Sequence, residues 1–405
     1  MFGKTEKKPW AAVLAASLLL CSCEKNPDND GYHVYSNGTA VSETEYVEPL
    51  PPKNRDYADF YIPDGMVTDY ISKNCLTDRE KEIYESILPI LGNLKPRTEL
   101  PPEGSEVYGR LLEVARHEQL SFCHISKRDV EYSATEQQFD VLFEYRFDAD
   151  EISRMNLASE KTAKEIMSQL TPDMDDYEKL KFFHDYLILN CENSTSDEYA
   201  DTVYGALVRK KALCEGYAKA FSYLCNLAGI ENVIVTGQTT VPHMWNMVKT
   251  GGSWYHVDVT WDNPDDKLHE AYPDVILYQY FMVTDAVIKN NHAIWAYPIE
   301  PPKADGIDEN YFSREGADVS RDGELLQAAE NAIIDAVESG RSGAMIKFSS
   351  NDLYISVLSD LNAGGGDVFN PIIRRIKTDY GTSIRLSWTD YYEQYRILTF
   401  IIEYE

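Results

Sequence analysis

The segment HMWNMVKTGGSWYHVDVT, residues 243–260, constrains the fold of this chain more than any other stretch. Gly251 and Gly252 lie between two runs of strand-forming residues, and adjacent glycines reach the positive φ values of a two-residue hairpin turn at no steric cost. With these two at the turn, Thr250 pairs with Ser253, Trp245 with Asp258 and His243 with Thr260. Side chains alternate across a strand, so His243, Trp245, Asp258 and Thr260 face one side. The His243 imidazole then lies one diagonal step from the Asp258 carboxylate, roughly 7–8 Å at the backbone, a gap that side chains can close. A bulge would shift this register. His256 shares the face and is the other candidate base. It reads as a polar strand residue near Trp254, whereas His243 begins the hairpin and can face an incoming helix.

A thiol precedes the hairpin. In KALCEGYAKAF, Cys214 stands where a loop enters an amphipathic helix, with Tyr217, Phe221, Leu224, Cys225 and Ala228 on its apolar face and Gly229 to close it. The unpaired amides at a helix start favour a thiolate. Gly216 would permit close approach of backbone or substrate. A lone cysteine is more often a small buried residue, as Cys225 is on this pattern. Cys214, His243 and Asp258 together supply a nucleophile, its base and the group that orients the base. Trp245, Trp254 and Trp261 are groove-lining candidates whose ordinary role is packing. Strict alternation would turn Trp261 to the opposite face. His184 lies amid aromatic and aliphatic residues in a helical pattern and reads as structural.

The 405 residues exceed what one core organises, so two or three domains are expected. Lys4, Lys7 and Lys8 precede an apolar run from Trp10 to Leu20, too short to span a bilayer and typical of a secretory signal. The following LCSC resembles a bacterial lipobox, with Cys23 as the lipidated first residue of the mature chain and Cys21 fitting that role less well. Cleavage before Cys23 removes three Lys and one Glu, moving the formal charge from −29 to −31. A surface so acidic repels phosphate backbones and argues against a nucleic-acid partner. The remaining cysteines, Cys75, Cys123, Cys191, Cys214 and Cys225, are odd in number and widely spaced; one or two disulfides are compatible with export.

Helical patterns are expected over TDREKEIYESILPIL, SEVYGRLLEVARH, residues 159–169, YEKLKFFHDYLIL and ADTVYGALVRK. Extended segments run through Val130, FDVLFEYRFD and ENVIVTG. Past Tyr297 the stretch PIEPPKADG marks a boundary. Beyond it come a helix over GELLQAAENAIIDAVESG, strands AMIKFSS and LYISVLS, a helix around FNPIIRRIKTDYG, and strands SIRLSW and YRILTFIIEY. The expected organisation is a signal peptide over 1–22, a polar tether over 23–60, an N-terminal α/β region over 61–170, a core over 171–298 and a C-terminal α/β module over 299–405. No HExxH, paired CxxC or phosphate-loop motif occurs, so neither a metal nor another cofactor is expected.

ALCEGYAKAFSYLCNLAGI, HMWNMV and WYHVDVTWDNP, in this order, resemble the three motifs of the transglutaminase-like superfamily, whose bacterial members include proteases and other amide-processing proteins. The resemblance implies an α+β fold with a papain-like thiol core, Cys214 starting a helix that packs on a sheet bearing His243 and Asp258. It also draws attention to Tyr204 as an oxyanion donor, with helix packing the equal alternative. The Gly-Gln before and Trp after the nucleophile of animal calcium-dependent transglutaminases are replaced here by Ala212-Leu213 and Glu215. That departure disfavours protein crosslinking and gives no reason to import calcium sites. The expected activity is thiol-dependent hydrolysis of peptide, protein or cell-wall amides by a protein lipid-anchored in the cell envelope, with the outer membrane as its expected location. The alternatives are acyl transfer to an amine, and a noncatalytic peptide- or glycan-binding role.

Overall fold

The structure is a computed structural model describing residues 52–100, 103, 105–122, 124–133, 138–264, 266–321, 323–392 and 395–405. The segment expected to be a signal peptide, Cys23 and Cys123 lie outside the described residues. Cys75, Cys191, Cys214 and Cys225 are all free thiols. No helix among the described residues is long and apolar enough to cross a membrane.

In the N-terminal region, helix Asp78–Gly92 starts at a reciprocal capping box between Thr77 and Glu80. Helix Ser105–Glu118 packs on it. Strands Arg97–Leu100, Gln138–Tyr145 and Ile125–Ser133 form an antiparallel sheet in that spatial order. The helix expected from residue 159 begins ten residues earlier, as Ala149–Met167, with Asp148 as its cap. Its first half hides its periodicity because buried polar residues share the inner face. The Ser153 hydroxyl accepts from Tyr61 N at 3.1 Å, and Asn156 donates to Tyr61 O at 2.6 Å.

The core is a five-stranded antiparallel sheet. Its spatial order is Ala293–Ile294, Asn232–Gln238, Pro242–Thr250, Ser253–Val257 and Phe281–Val283. Gly251 and Gly252 take φ of 59° and 83° at the hairpin turn, and the pairing runs from Thr250↔Ser253 to Asn246↔Val257 as the alternation requires. The second strand then stops. Asp258 accepts from Trp261 N at 3.1 Å and caps the short helix Val259–Asp262, so Thr260 is helical and does not pair with His243. His243 pairs instead with Gly237 on the other neighbouring strand.

Helix Cys214–Leu227 packs across this sheet and is tied to it where Asn246 Nδ2 donates to Ala218 O at 3.0 Å. ADTVYGALVRK is not an α-helix. Gly205–Arg209 forms one π-helical turn, ended by left-handed Lys210, and Lys211–Ala212 then pairs in parallel with Glu192–Asn193. This compact approach brings Ala200 O onto the start of the thiol helix, where Leu213 N donates to it at 2.8 Å. A Cβ on Gly216 would sit 2.1 Å from that same oxygen. Gly216 therefore admits backbone. Gly216→Ala is expected to lower stability by about 1–3 kcal/mol through overpacking, read as a lower urea midpoint with unchanged slope.

The C-terminal module is a four-stranded sheet ordered Asp318–Val319, Gly343–Phe348, Ile397–Tyr404 and Ile384–Tyr392, with helices Leu325–Glu338 and Asn370–Tyr380. LYISVLS, expected as a strand, lies in helix Asn351–Asn362. Ser350 caps that helix, and burying Tyr354 and Leu361 on one face overrides the strand-like composition. The module packs on the core through Tyr278, which stacks on Tyr311 at 3.9 Å and accepts from Arg341 Nη1 at 3.2 Å.

Candidate active site

The hairpin and the thiol helix meet at three side chains. Cys214 is the first residue of its 14-residue helix, and Leu213 at the cap supplies no side-chain hydrogen bond to the first-turn amides. His243, on the facing strand, is buried, and its Nε2 lies 2.6 Å from Asp258 Oδ2. Cys214 also acts on this ring and adds to its hold on a proton. With Nε2 directed to Asp258, Nδ1 is the nitrogen left to take the thiol proton.

Asp258 earns its position by accepting three donors. Oδ1 takes the Trp261 amide at 3.1 Å; Oδ2 takes His243 and also His292 Nε2, the latter at 3.0 Å. Burial opposes a charge on Asp258, but the charge and hydrogen bond of His243, with His292, outweigh it and hold the carboxyl far below its usual range. Burial likewise opposes a charged His243. The Asp258 charge and hydrogen bond, joined by Cys214, overcome that and raise the ring to about 10.

The signs of these shifts set a stability window. His243, raised above its unfolded value, stabilises fully below about pH 6.5 and loses this as pH rises toward 10; Asp258, depressed, stabilises above about pH 4 and loses this in acid. Urea denaturation is expected to show wild type losing stability between pH 6 and 10 relative to His243→Ala. A pH-independent difference between the two would contradict the pairing.

The two other candidate imidazoles, His256 and His184, have structural partners. His256 Nδ1 accepts from Trp245 Nε1 at 3.0 Å, and its Nε2 lies 2.9 Å from Asp285 Oδ1. Both nitrogens are occupied away from the thiol, and burial lowers the ring's affinity for a proton. His184 is clasped between Asp185 and Asp262 at 3.0 and 3.2 Å. Trp245 is 1% exposed and stacks on His243 with centroids 5.8 Å apart, so it backs the imidazole and does not line an open groove. Trp261 is half-buried, edge-on to His243 at 6.2 Å, because the turn into the short helix carries it to the face that strand alternation would have denied it. Tyr204 is half-buried and packs edge-on against Tyr199 at 5.2 Å.

His292 was not legible in the sequence. It lies 34 residues beyond Asp258, just before the edge strand Ala293–Ile294, in a stretch with no periodicity to give it a face. Donor atoms of His243, Asp258 and His292 lie within 4.8 Å of one another, a spacing that could hold a metal ion. The two hydrogen bonds on Asp258 Oδ2 already account for this convergence.

Residues 160–259 match the model of the transglutaminase-like superfamily, a span that ends one residue past Asp258 and includes Cys214 and His243. Over this segment the chain is similar to the transglutaminase-like superfamily. The core has the mixed helix-and-sheet, α+β character expected of that resemblance. Among similar curated proteins is the human (Homo sapiens) kyphoscoliosis peptidase, 24% identical over 230 residues, covering 50% of this chain and 34% of the relative. The mouse (Mus musculus) protein of that name is 26% identical over 163 residues, covering 33% and 24%. The chain thus spans about a third or less of the length of these relatives. Similar solved structures include a transglutaminase (TM-score 0.25, 14% identity, 42% of this chain and 52% of that one). Another is a protein described as a candidate cysteine protease from Cytophaga hutchinsonii (TM-score 0.25, 14% identity, 42% and 69%). Likeness at that level adds nothing to the family match.

Proposed function

We propose that the transglutaminase-like core hydrolyses peptide or other amide bonds with Cys214 as nucleophile, His243 as general base and acid, and Asp258 as the group that orients His243. The observation that carries this is the 2.6 Å His243–Asp258 hydrogen bond, on a ring that Cys214 at the start of a helix also influences. His243 Nδ1 takes the thiol proton, either in a resting ion pair or during attack, and the sulfur attacks the amide carbonyl. The resulting oxyanion is met by the Cys214 backbone amide and the Tyr204 hydroxyl. His243 then protonates the leaving amine, and a thioester remains. Water, deprotonated by His243, attacks the thioester, releasing the carboxylic acid and restoring the thiol.

Two things favour hydrolysis over acyl transfer. The sequence around Cys214 departs from that of the calcium-dependent crosslinking enzymes, and the curated relatives carry the name peptidase. The basic, apolar and LCSC segments support an activity at the cell envelope, anchored through lipidated Cys23, with peptides, proteins or cell-wall amides as substrates. Mass spectrometry of peptide and cell-wall fragments incubated in H₂¹⁸O, with and without an added primary amine, tests the reading. Carboxylic acid products carrying ¹⁸O are expected in both conditions. Amine adducts in place of acid would establish transfer. Bound but unaltered fragments would establish a noncatalytic binding protein.

A further inference from the structure

Asp258 is shared by two imidazoles, and the mechanism uses only one. His292 Nε2 reaches the same Oδ2 that His243 holds, from a fully buried position. Its ring is enclosed by Trp261 at 4.9 Å, Trp245 at 5.2 Å, Tyr280 at 5.2 Å and His243 at 5.5 Å, with His256 within electrostatic reach. Its other nitrogen, Nδ1, lies 2.6 Å from Asn291 Oδ1, and the far side of that amide lies 2.5 Å from the Tyr280 hydroxyl. With the Asn291 amide nitrogen turned toward Nδ1, a neutral His292 accepts there and donates from Nε2 to Asp258, while the Asn291 oxygen accepts from the Tyr280 hydroxyl. The Tyr280 hydroxyl is in turn 3.1 Å from the hydroxyl of Tyr395, a residue of the C-terminal module. A hydrogen-bonded line, buried except at the half-buried Asn291, therefore runs Tyr395, Tyr280, Asn291, His292, Asp258.

We infer that His292 is a positioning residue for Asp258, held in place by a line that ends on Tyr395, so that docking of the C-terminal module completes the site. This rests on the reading of Asp258 as the partner that orients the base. A carboxylate holding one imidazole by one oxygen can pivot about χ2. With Oδ1 fixed by the Trp261 amide and Oδ2 by His292, the carboxylate plane is set before His243 binds to it. Packing alone would not require a donor on His292, nor a polar connection through to a separate module. In a buried setting each link lost leaves its neighbour unsatisfied.

The test uses the full chain labelled with [¹⁵N]histidine, as wild type, His292→Leu, His292→Gln and Tyr395→Phe. The His243 Nε2–H resonance is followed by NMR, and Cys214 alkylation by iodoacetamide is followed by peptide mass spectrometry at pH 7. His292→Leu is expected to move the His243 resonance, speed its exchange with water and slow Cys214 alkylation roughly tenfold or more, the factor associated with a hydrogen bond to a charged group. His292→Gln, whose amide can donate to Asp258, should recover most of that rate. Tyr395→Phe keeps the ring and the packing, so it reports even if the leucine variant does not fold. It should shift the His292 ring resonances and slow alkylation roughly two- to fivefold. An unmoved His243 resonance and an unchanged rate in folded His292→Leu would overturn the role of His292. Unmoved His292 resonances in Tyr395→Phe would overturn the coupling to the C-terminal module. Alkylation of wild-type Cys214 at an ordinary thiol rate would count against the catalytic reading instead, because the His243 resonance reports on Asp258 without any reaction.

Discussion

Replacing Glu215 by alanine is expected to cost about 3–5 kcal/mol, the scale set by removing one partner of a buried ion pair. Glu215 follows the nucleophile directly and is buried. Arg116 grips its carboxylate with two nitrogens, Nε to Oε1 at 2.9 Å and Nη2 to Oε2, while Lys219 Nζ, fully buried, lies 2.8 Å from Oε1. Burial opposes the charge on Glu215, but Arg116 and Lys219 outweigh it and hold the carboxyl down to about 2. Alanine would leave two cations in the interior without the carboxylate that joins them, Arg116 keeping Glu113 at 3.5 Å. A group depressed in this way stabilises above its unfolded value, and the contribution fades as pH falls from about 4 toward the folded value. Urea denaturation should therefore show a gap between wild type and Glu215→Ala that is constant from pH 7 to 5 and narrows in acid. A gap below about 1 kcal/mol at pH 7 would mean the charges are solvated. Arg116 belongs to helix Ser105–Glu118, so this contact also fixes the N-terminal region to the start of the thiol helix.

Asp258→Asn is expected to lower kcat by about 10⁴, the loss seen when the carboxylate of a serine–histidine–aspartate site becomes an amide. Asp258 offers only acceptors and receives three N–H donors, two on Oδ2 and one on Oδ1. Asparagine has a single acceptor oxygen. If that oxygen faces the imidazoles, its NH₂ meets the Trp261 amide and the short helix loses its cap. If it faces Trp261, the NH₂ meets both Nε2–H groups and forces His243 into the other tautomer, which puts a proton on the nitrogen that must accept one from Cys214. Kinetics at saturating substrate, with a denaturation curve confirming a folded variant, separates lost chemistry from lost stability. A folded Asp258→Asn within tenfold of wild type would remove Asp258 from the mechanism.

What the sequence made legible follows from local constraint. Gly251-Gly252 fixed the hairpin register, and the register put His243 and Asp258 on one face. Cys214 at the head of an uninterrupted amphipathic run gave the helix start. The limits arise where tertiary contacts decide. Thr260 follows a residue whose side chain caps a helix, so the strand ends sooner than alternation suggests. Trp245 reads the same whether it lines a groove or backs an imidazole, and only its burial separates the two. His292 and Tyr395 join the site across long separations in chain, with no repeat or spacing to connect them to Asp258. The buried Ser153 and Asn156 concealed half of a helix because their partners are backbone groups at Tyr61.

The central claim is that His243 activates Cys214. It is tested most directly by labelling with a thiol-directed amide probe, read at Cys214 by peptide mass spectrometry in wild type, His243→Ala and Cys214→Ala. The expected result is rapid labelling of wild type, a rate at least 10²-fold lower in folded His243→Ala, the lower bound for losing a general base, and no adduct at position 214 in Cys214→Ala. Equal labelling of Cys214 in wild type and in folded His243→Ala would contradict the account.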